Sequence, residues 1–97
     1  LNPMVIGVCT LQLGVPMALS LKEKRQVVKS ILARVRNEFN VSIAEVDDQD
    51  IWQSAVLGIA CVSTSQSYAH GQLEAVVKFI DRLRPDCPIG AYEIEML

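Results

Sequence analysis

Segments with the two-residue period of a β-strand and segments with the 3.6-residue period of an α-helix follow one another along this chain in a definite order. The order is strand, helix, strand, strand, helix, strand. Because connections between such elements are short and right-handed, few topologies accommodate it. The predicted strands cover 4–13, 40–46, 52 or 53 to 62, and 91–97, and the predicted helices cover 20–37 and 68–83.

The first helix begins with a capping signal. Ser20 and Glu23 form the S-x-x-E pattern, in which the two side chains accept hydrogen bonds from main-chain N–H groups at the start of the helix. Apolar residues then recur at a helical period until the segment ends near Asn37. These residues are Leu21, Val28, Ile31, Leu32 and Val35.

Six elements in this order close into a four-stranded antiparallel sheet with both helices on one face. This is the ferredoxin-like split βαβ arrangement, βαββαβ, of the α+β class, with the first and third strands central. A chain of 97 residues makes one domain of ordinary size, which we place at 4–97. Leu1, Asn2 and Pro3 precede Met4, which is typical of a native start, so we expect residues 1–3 to be left by cloning or processing.

One face of this sheet has no helix to cover it. The strand period places residues there that are more apolar than a solvent-facing sheet requires. We therefore expect this face to be buried in a homodimer or against another partner. The candidate residues are Ile6, Val8, Thr10, Val56 and Ala60.

Composition favours a folded protein of a reducing compartment. Hydrophobic residues make up 51% of the chain and aromatic residues only 5%, a mixture typical of aliphatic strands covered by helices. No apolar run approaches the roughly 18 residues that span a bilayer, and no secretory leader precedes the domain. We therefore expect a cytoplasmic protein with no membrane partner.

The three cysteines are odd in number and lack C-x-x-C spacing, which argues against a disulfide framework and against a zinc site. Cys9 and Cys61 fall within apolar strands, where a thiol behaves as a small hydrophobic side chain. Cys87 lies in a loop between Asp86 and Pro88, where we expect an exposed thiol.

The net charge of −2 conceals a basic segment in the first helix. At about 100° per residue, four cations cluster within roughly 60° on one flank of the apolar face, along a line roughly 20 Å long. Such a line suits a phosphate backbone, although it is also typical of a solvated helix flank, and the pI near 5.2 is low for a nucleic-acid-binding domain. The candidate contact residues are Lys22, Arg25, Lys29 and Arg36.

An acidic segment, 45–53, connects the second and third strands. Aspartates favour turns by bonding their own main chain, so a hairpin turn is the first interpretation and a partner contact the second. A magnesium or calcium site is the third, but the glycine and distal glutamate of an EF-hand are missing, and we predict no metal. We expect burial of Trp52 to anchor the hairpin. The candidate contact residues are Asp47, Gln49, Asp50 and Trp52.

No catalytic constellation is recognisable. His70, the single histidine, has no nucleophile near it in the sequence and is most simply a surface or capping residue. The G-x-S-x-G elbow, the Walker loop and the G-x-G-x-x-G loop are absent. We predict no catalytic residues and no cofactor.

Separated blocks of the chain resemble the YlxP-like family, a small bacterial domain of unknown function. The blocks are SLKEKRQV at 20–27, FNVSIAEVD at 39–47 and QDIWQ at 49–53, and YEIE at 92–95 resembles the end of the family's domain. The resemblance implies a ferredoxin-like fold and brings no established activity or site. Since members are commonly encoded near translation factors, it also implies a role around the ribosome. Asp48 stands where the family often has histidine, which further weakens a catalytic or metal-binding hairpin.

Three hypotheses about function follow. The leading one is a non-catalytic cytoplasmic module that contacts ribosomal RNA or a ribosomal protein through the basic flank of the first helix, with the open sheet face forming a homodimer. The second is a self-associating protein–protein interaction regulator that uses the open face alone. The third is a small enzyme that uses the hairpin, Asp47–Asp50. Nothing in the sequence indicates DNA as a partner.

Overall fold

The structure is a computed structural model that describes residues 3–97. Of the residues expected to lie outside the domain, Leu1 and Asn2 are outside this described range. The elements are β1 (Val5–Gly14), α1 (Leu21–Glu38), β2 (Ser42–Asp47), β3 (Ser54–Ser63), α2 (Gln66–Leu83) and β4 (Ile89–Met96).

The strands form one antiparallel sheet in the order β2-β3-β1-β4. The central strands β1 and β3 stay in register from Val5 opposite Ser63 to Gly14 opposite Ser54. Both helices pack on one face of the sheet, α1 towards β2 and α2 towards β1, β3 and β4. The fold is therefore ferredoxin-like α+β, and the predicted fold class is confirmed.

The strand β4 begins at Ile89, two residues earlier than the period at 91–97 indicated. Its register against β1 shifts between Leu11 and Leu13, which marks a β-bulge. The Gly14 N–H donates to the Pro88 carbonyl at 2.8 Å, so pairing continues right up to this proline. Because a bulge interrupts the two-residue period, the sequence pattern predicts a strand that begins two residues too late.

The predicted cap of α1 is present. The Ser20 Oγ accepts from the Glu23 N–H at 3.1 Å, and the Glu23 carboxylate accepts from the Leu19 N–H at 2.5 Å, one residue before the N-cap position. In α2 the N-cap is Ser65, whose Oγ accepts from the Tyr68 N–H at 3.2 Å. Side chains thus satisfy main-chain donors at the start of both helices.

The core lies between the sheet and the two helices. It is aliphatic, and the two aromatic side chains at its margin, Phe39 and Phe79, meet edge to face with centroids 5.5 Å apart. Cys87 is among the core residues and is fully buried, so the expectation of an exposed thiol there was wrong. The reason is that the loop before β4 turns inward, where the Cys87 N–H donates to the Arg84 carbonyl.

Within residues 3–97, neither helix is long and apolar enough to cross a membrane.

Two glycines test the packing of α2 against β1. Gly71 has no atom within 4 Å of the place a Cβ would take, so Gly71→Ala should raise the free energy of unfolding by about 0.5–1 kcal/mol through helix propensity.

At the buried Gly7, side-chain atoms of Leu73 and Met96 lie 3.0 Å from the place a Cβ would take. Gly7→Val should therefore lower the free energy of unfolding by about 1–3 kcal/mol through overpacking. Urea unfolding with unchanged m-values measures both; equal effects of the two variants would contradict this account of the packing.

Candidate functional site

The four cations predicted to share one flank of α1 are all exposed: Lys22, Arg25, Lys29 and Arg36. We call them the basic flank. Within residues 3–97, the salt bridges are Lys24–Glu45 and Arg84–Asp86, so no carboxylate neutralises a member of this set.

Arg36 differs from the rest of the basic flank. Its Nη2 donates to the Ile43 carbonyl of β2 at 2.8 Å. The bond occupies a main-chain acceptor of an edge strand, which is one way of limiting unwanted strand pairing. The same hydrogen bond shows that the basic flank runs along the β2 side of the domain.

Lys24, the next basic residue after Lys22, is fully buried with 0% of its surface exposed. Its ammonium donates to the Glu45 carboxylate at 2.5 Å and to the Asp48 carbonyl at 2.9 Å. The carbonyls of Gln49 and Ser54 lie within 3.3 Å. An ammonium group has three donors and no acceptor, and here it is surrounded by oxygen atoms. Lys24 therefore ties α1 to both ends of the β2–β3 connection.

The connection itself takes a fixed shape around Asp48. This residue has a φ of 60°, the left-handed region that aspartate adopts more readily than most residues. Its N–H donates to the Asp47 carboxylate at 2.8 Å, its carbonyl accepts from the Ile51 N–H at 3.0 Å, and its carboxylate accepts from the Ser54 hydroxyl at 3.0 Å. These bonds support the hairpin-turn interpretation of the acidic segment.

Gln53 fastens the same loop to the β1–α1 connection. Its side-chain amide donates to the carbonyls of Pro16 at 3.0 Å and Ala18 at 3.2 Å. Its own carbonyl accepts from the Val15 N–H at 2.9 Å. Two loops distant in sequence are thus held side by side at one end of the sheet.

Trp52 does not anchor the hairpin, because 54% of its surface is exposed. The expectation of an aromatic anchor was wrong, and the physical reason is that Lys24 and Gln53 already hold the loop by hydrogen bonds. The other hairpin candidates, Asp47, Gln49 and Asp50, are exposed as well. The hairpin therefore displays carboxylates and the indole to solvent on a well-supported turn.

The residues predicted for the uncovered sheet face do share one face. In the register of β1 and β3, Ile6 lies opposite Val62, Val8 opposite Ala60, Thr10 opposite Gly58 and Gln12 opposite Val56. We call this the open face. β2 adds Ser42 and Ala44 to it, because they pair with Ala60 and Gly58.

Val46 also belongs to the open face. A bulge in β2 between Glu45 and Asp47 shifts the register, and the Val46 side chain then leans over Gly58, where a Cβ would meet its Cγ1 at 2.9 Å. A side chain at position 58 would therefore force the Val46 side chain to shift. The valine remains half exposed.

The edge strand β4 makes the opposite margin of the open face acidic. Glu93 pairs with Thr10 and Glu95 with Val8, and both glutamates are exposed. On the helix side of the same strand, the Tyr92 hydroxyl donates to the Glu74 carboxylate at 3.0 Å, which raises the pKa of Tyr92 above its ordinary value. Negative charge thus collects along the β4 edge, across the sheet from the basic flank.

The thiols are poorly suited to nucleophilic chemistry. Burial, with the Glu74 carboxylate contributing, raises the pKa of the Cys9 thiol to about 11. Burial likewise raises the pKa of Cys61 and of Cys87. A raised pKa depletes the thiolate, which is the reactive form.

Metal-ligating and acid–base side chains are scattered. Among residues 3–97, no three His, Cys, Asp or Glu side chains stand close enough together to hold a metal ion. His70 is exposed on α2, and Asp47 and Asp50 are exposed on the hairpin. The arrangement can offer contact surfaces, namely the basic flank, the open face and the hairpin, more readily than an enclosed reaction site.

Lys24 is the residue that the pattern analysis missed. Together with Val28, Ile31 and Val35 it follows the i, i+4, i+7, i+11 spacing of the buried stripe. A lysine in the middle of an apolar stripe is the signal that could have revealed it, because charged groups are buried only when they are paired.

Comparison with known proteins gives a family match over almost the whole domain. A family model described as "Protein of unknown function (DUF503)" matches residues 6–94. "Uncharacterized protein YlxP" of Bacillus subtilis (strain 168) is 55% identical over 62 residues, which make up 64% of this chain and 67% of the relative.

Two solved structures share the fold. "De novo designed protein Foldit4" superposes with a TM-score of 0.51 at 15% identity, over 97% of this chain and 96% of that chain. A C-terminal segment of the alpha subunit of aIF2 from Pyrococcus abyssi superposes with a TM-score of 0.56 at 15% identity, over 100% of this chain and 51% of that segment. At such low identity these similarities concern the fold alone.

The Lys24 contacts predict a large loss of stability on truncation of the ammonium. Lys24→Met should lower the free energy of unfolding by about 3–5 kcal/mol, because the Glu45 carboxylate, whose side chain is only 15% exposed, loses its donor while remaining largely buried. Lys22→Met, two residues away and exposed, should change it by less than about 0.5 kcal/mol. Urea unfolding measures both, and similar values for the two variants would show that the buried ammonium does not hold the connection.

The buried thiols predict protection from modification. At about pH 8 a thiol reagent such as DTNB should leave Cys9, Cys61 and Cys87 unmodified in the native protein, because they are inaccessible and carry little thiolate. In concentrated urea all three should react. Rapid modification of one thiol under native conditions would contradict the burial of that residue.

Proposed function

The chain belongs to the DUF503 family, whose function is unknown, and we propose that it is a non-catalytic module that binds the phosphate backbone of structured RNA, ribosomal RNA included, through the basic flank of α1. The observation that carries the proposal is a row of exposed cations on one side of one helix, none paired with a carboxylate within residues 3–97. Cations already neutralised within the protein would contribute much less to phosphate binding.

The spacing of the basic flank suits a row of phosphates. Lys22, Arg25 and Lys29 span two helical turns, about 10 Å at 1.5 Å per residue. Each phosphate contact releases condensed counterions, so affinity accumulates along the row and falls steeply with salt. No aromatic residue stands between the cations, so the contact addresses the backbone and does not stack bases.

The remainder of the molecule favours one orientation on an anionic partner. The basic flank lies on the β2 side, whereas Glu93 and Glu95 lie on the opposite, β4 side. A chain with a net charge of −2 therefore approaches a polyanion with α1 leading. The Arg36 guanidinium, already bonded to Ile43, adds positive charge at the end of the row while supporting β2.

Charge reversal on the flank tests the proposal. Lys22→Glu/Lys29→Glu should weaken binding to a labelled, structured fragment of ribosomal RNA by about tenfold or more at about 50 mM salt, and should reduce the slope of log Kd against log salt by about 2. Fluorescence anisotropy over a salt series measures both quantities. Arg36 is left unchanged because its reversal would also disturb β2.

The matched control carries the same change in net charge at another place. Lys78→Glu/Arg82→Glu lies on α2, where both residues are exposed, and should change the affinity far less. Equal weakening by the two double variants would show that the effect comes from net charge and not from the basic flank. Unmeasurable binding of the unaltered protein at low salt would refute the proposal.

A further inference from the structure

The open face is an apolar surface that nothing within residues 3–97 covers. Two adjacent rows cross it from β2 to β4. One runs through Ser42, Ala60, Val8 and Glu95, and the other through Ala44, Gly58, Thr10 and Glu93. In each row the residues on β2 and β3 are small, and the last residue, on β4, is a glutamate. Ile6, Val46 and Val56 add aliphatic surface around the rows.

Charge argues against RNA as the occupant of this face. Ferredoxin-like sheets that bind RNA stack bases on aromatic side chains, but Ile6, Val8, Thr10, Val56 and Ala60 are not aromatic. Glu93 and Glu95 would also repel phosphates along one margin. An apolar sheet surface of this kind is instead covered well by a second sheet, at about 10 Å, with interdigitating aliphatic side chains.

Charge complementarity points to a second copy of this chain. The β4 margin of the open face carries Glu93 and Glu95, and the β2 edge adjoins the basic flank, where the Arg36 guanidinium sits on the Ile43 carbonyl. The β2 edge is basic near Ile43, where Arg36 lies, and acidic at its far end, where Asp47 is exposed. Every copy therefore brings an acidic β4 edge, and a β2 edge that is basic near Ile43, to opposite sides of one apolar surface. Two copies face to face match both apolar surface and charge.

The same charges select between the two symmetric ways of stacking the sheets with their strands aligned. A two-fold axis perpendicular to the strands would place β4 over β4 and bring the four glutamates of the two copies together. A two-fold axis parallel to the strands places β4 of each copy over β2 of the other, which brings each acidic edge to a basic edge. Like charges disfavour the first arrangement, and opposite charges favour the second.

We propose that the open face binds the open face of a second copy about a two-fold axis parallel to the strands, so that Glu93 and Glu95 of each copy lie over β2 beside the basic flank of the other. The strands of the two sheets then run in nearly the same direction, offset by the usual twist of about 30°. The inference does not depend on the RNA contact, and it places the acidic β4 edge of each copy beside the flank that makes that contact in the other.

Neutralising the acidic edge separates the two arrangements. If β4 lies over β2, Glu93→Gln/Glu95→Gln should raise the dimer dissociation constant by about tenfold, and the dimer of the unaltered protein should weaken with salt. If β4 lies over β4, the same variant should dimerise more tightly, and salt should strengthen the dimer. Sedimentation velocity from low to high micromolar concentration measures the constant.

A matched control removes two acidic charges elsewhere. Glu38→Gln/Asp81→Asn alters exposed helix residues and should leave the dimer unchanged. Val8→Lys, which puts a charge in the middle of the open face, should give a folded monomer. If the unaltered protein stays monomeric from low to high micromolar concentration, the proposal is overturned, and the occupant of the open face would be a different protein.

Cross-linking tests the geometry independently. Within one copy, β2 and β4 are three strand spacings apart, about 14 Å, whereas across the proposed interface Ser42 of one copy faces Glu95 of the other. Ser42→Cys/Glu95→Cys should therefore form a covalent dimer with a bismaleimide that spans about 10 Å. Each single variant should remain largely uncross-linked.

The buried native thiols keep the background low. A dimer that sediments as expected but fails to cross-link in the double variant would refute the proposed axis. Efficient dimer cross-linking by either single variant would refute it as well.

Discussion

The buried ammonium of Lys24 is the interaction on which the arrangement of α1, β2 and β3 depends. It reaches the Glu45 carboxylate and the main chain of the β2–β3 connection from the first turn of α1. A buried charge costs several kcal/mol in desolvation, which its partners offset only when the geometry is good. An apolar residue could fill the same volume, but it could not fix the positions of several oxygen atoms at once. Lys24 therefore sets how the connection lies against the helix.

That constraint shapes the surfaces on either side of the helix. With the connection held from beneath, Trp52 and the carboxylates of the hairpin face solvent. The neighbouring cations of α1 are left free of carboxylate partners within residues 3–97, and Arg36 supports the edge of β2. Positive charge consequently lies along the β2 side and negative charge along β4. The net charge of −2 does not reveal this separation of charge. The separation nevertheless determines which partner each surface favours.

Much of the fold could be predicted because it rests on local periodicity. The alternation in β1 and β3 identified the open face, and the capping pattern at Ser20 and Glu23 identified the start of α1. Prediction failed where the period is interrupted or where burial depends on distant contacts. The bulge in β4 shortened the predicted strand. Cys87 was assigned to solvent because it lies in a loop, and Trp52 to the interior because it is large and aromatic.

By itself, the sequence determined the order of the elements, the ferredoxin-like topology, the division of the sheet into a covered and an uncovered face, and the grouping of four cations on one flank of α1. Each of these follows from spacing along the chain, because strand and helix geometry convert spacing directly into direction. Only the tertiary structure decided that Lys24 is buried, that Trp52 is exposed, that Arg36 holds β2, and that the acidic and basic edges lie across the sheet from each other. These features depend on which segments meet in space, and the period of any one segment carries no information about its neighbours.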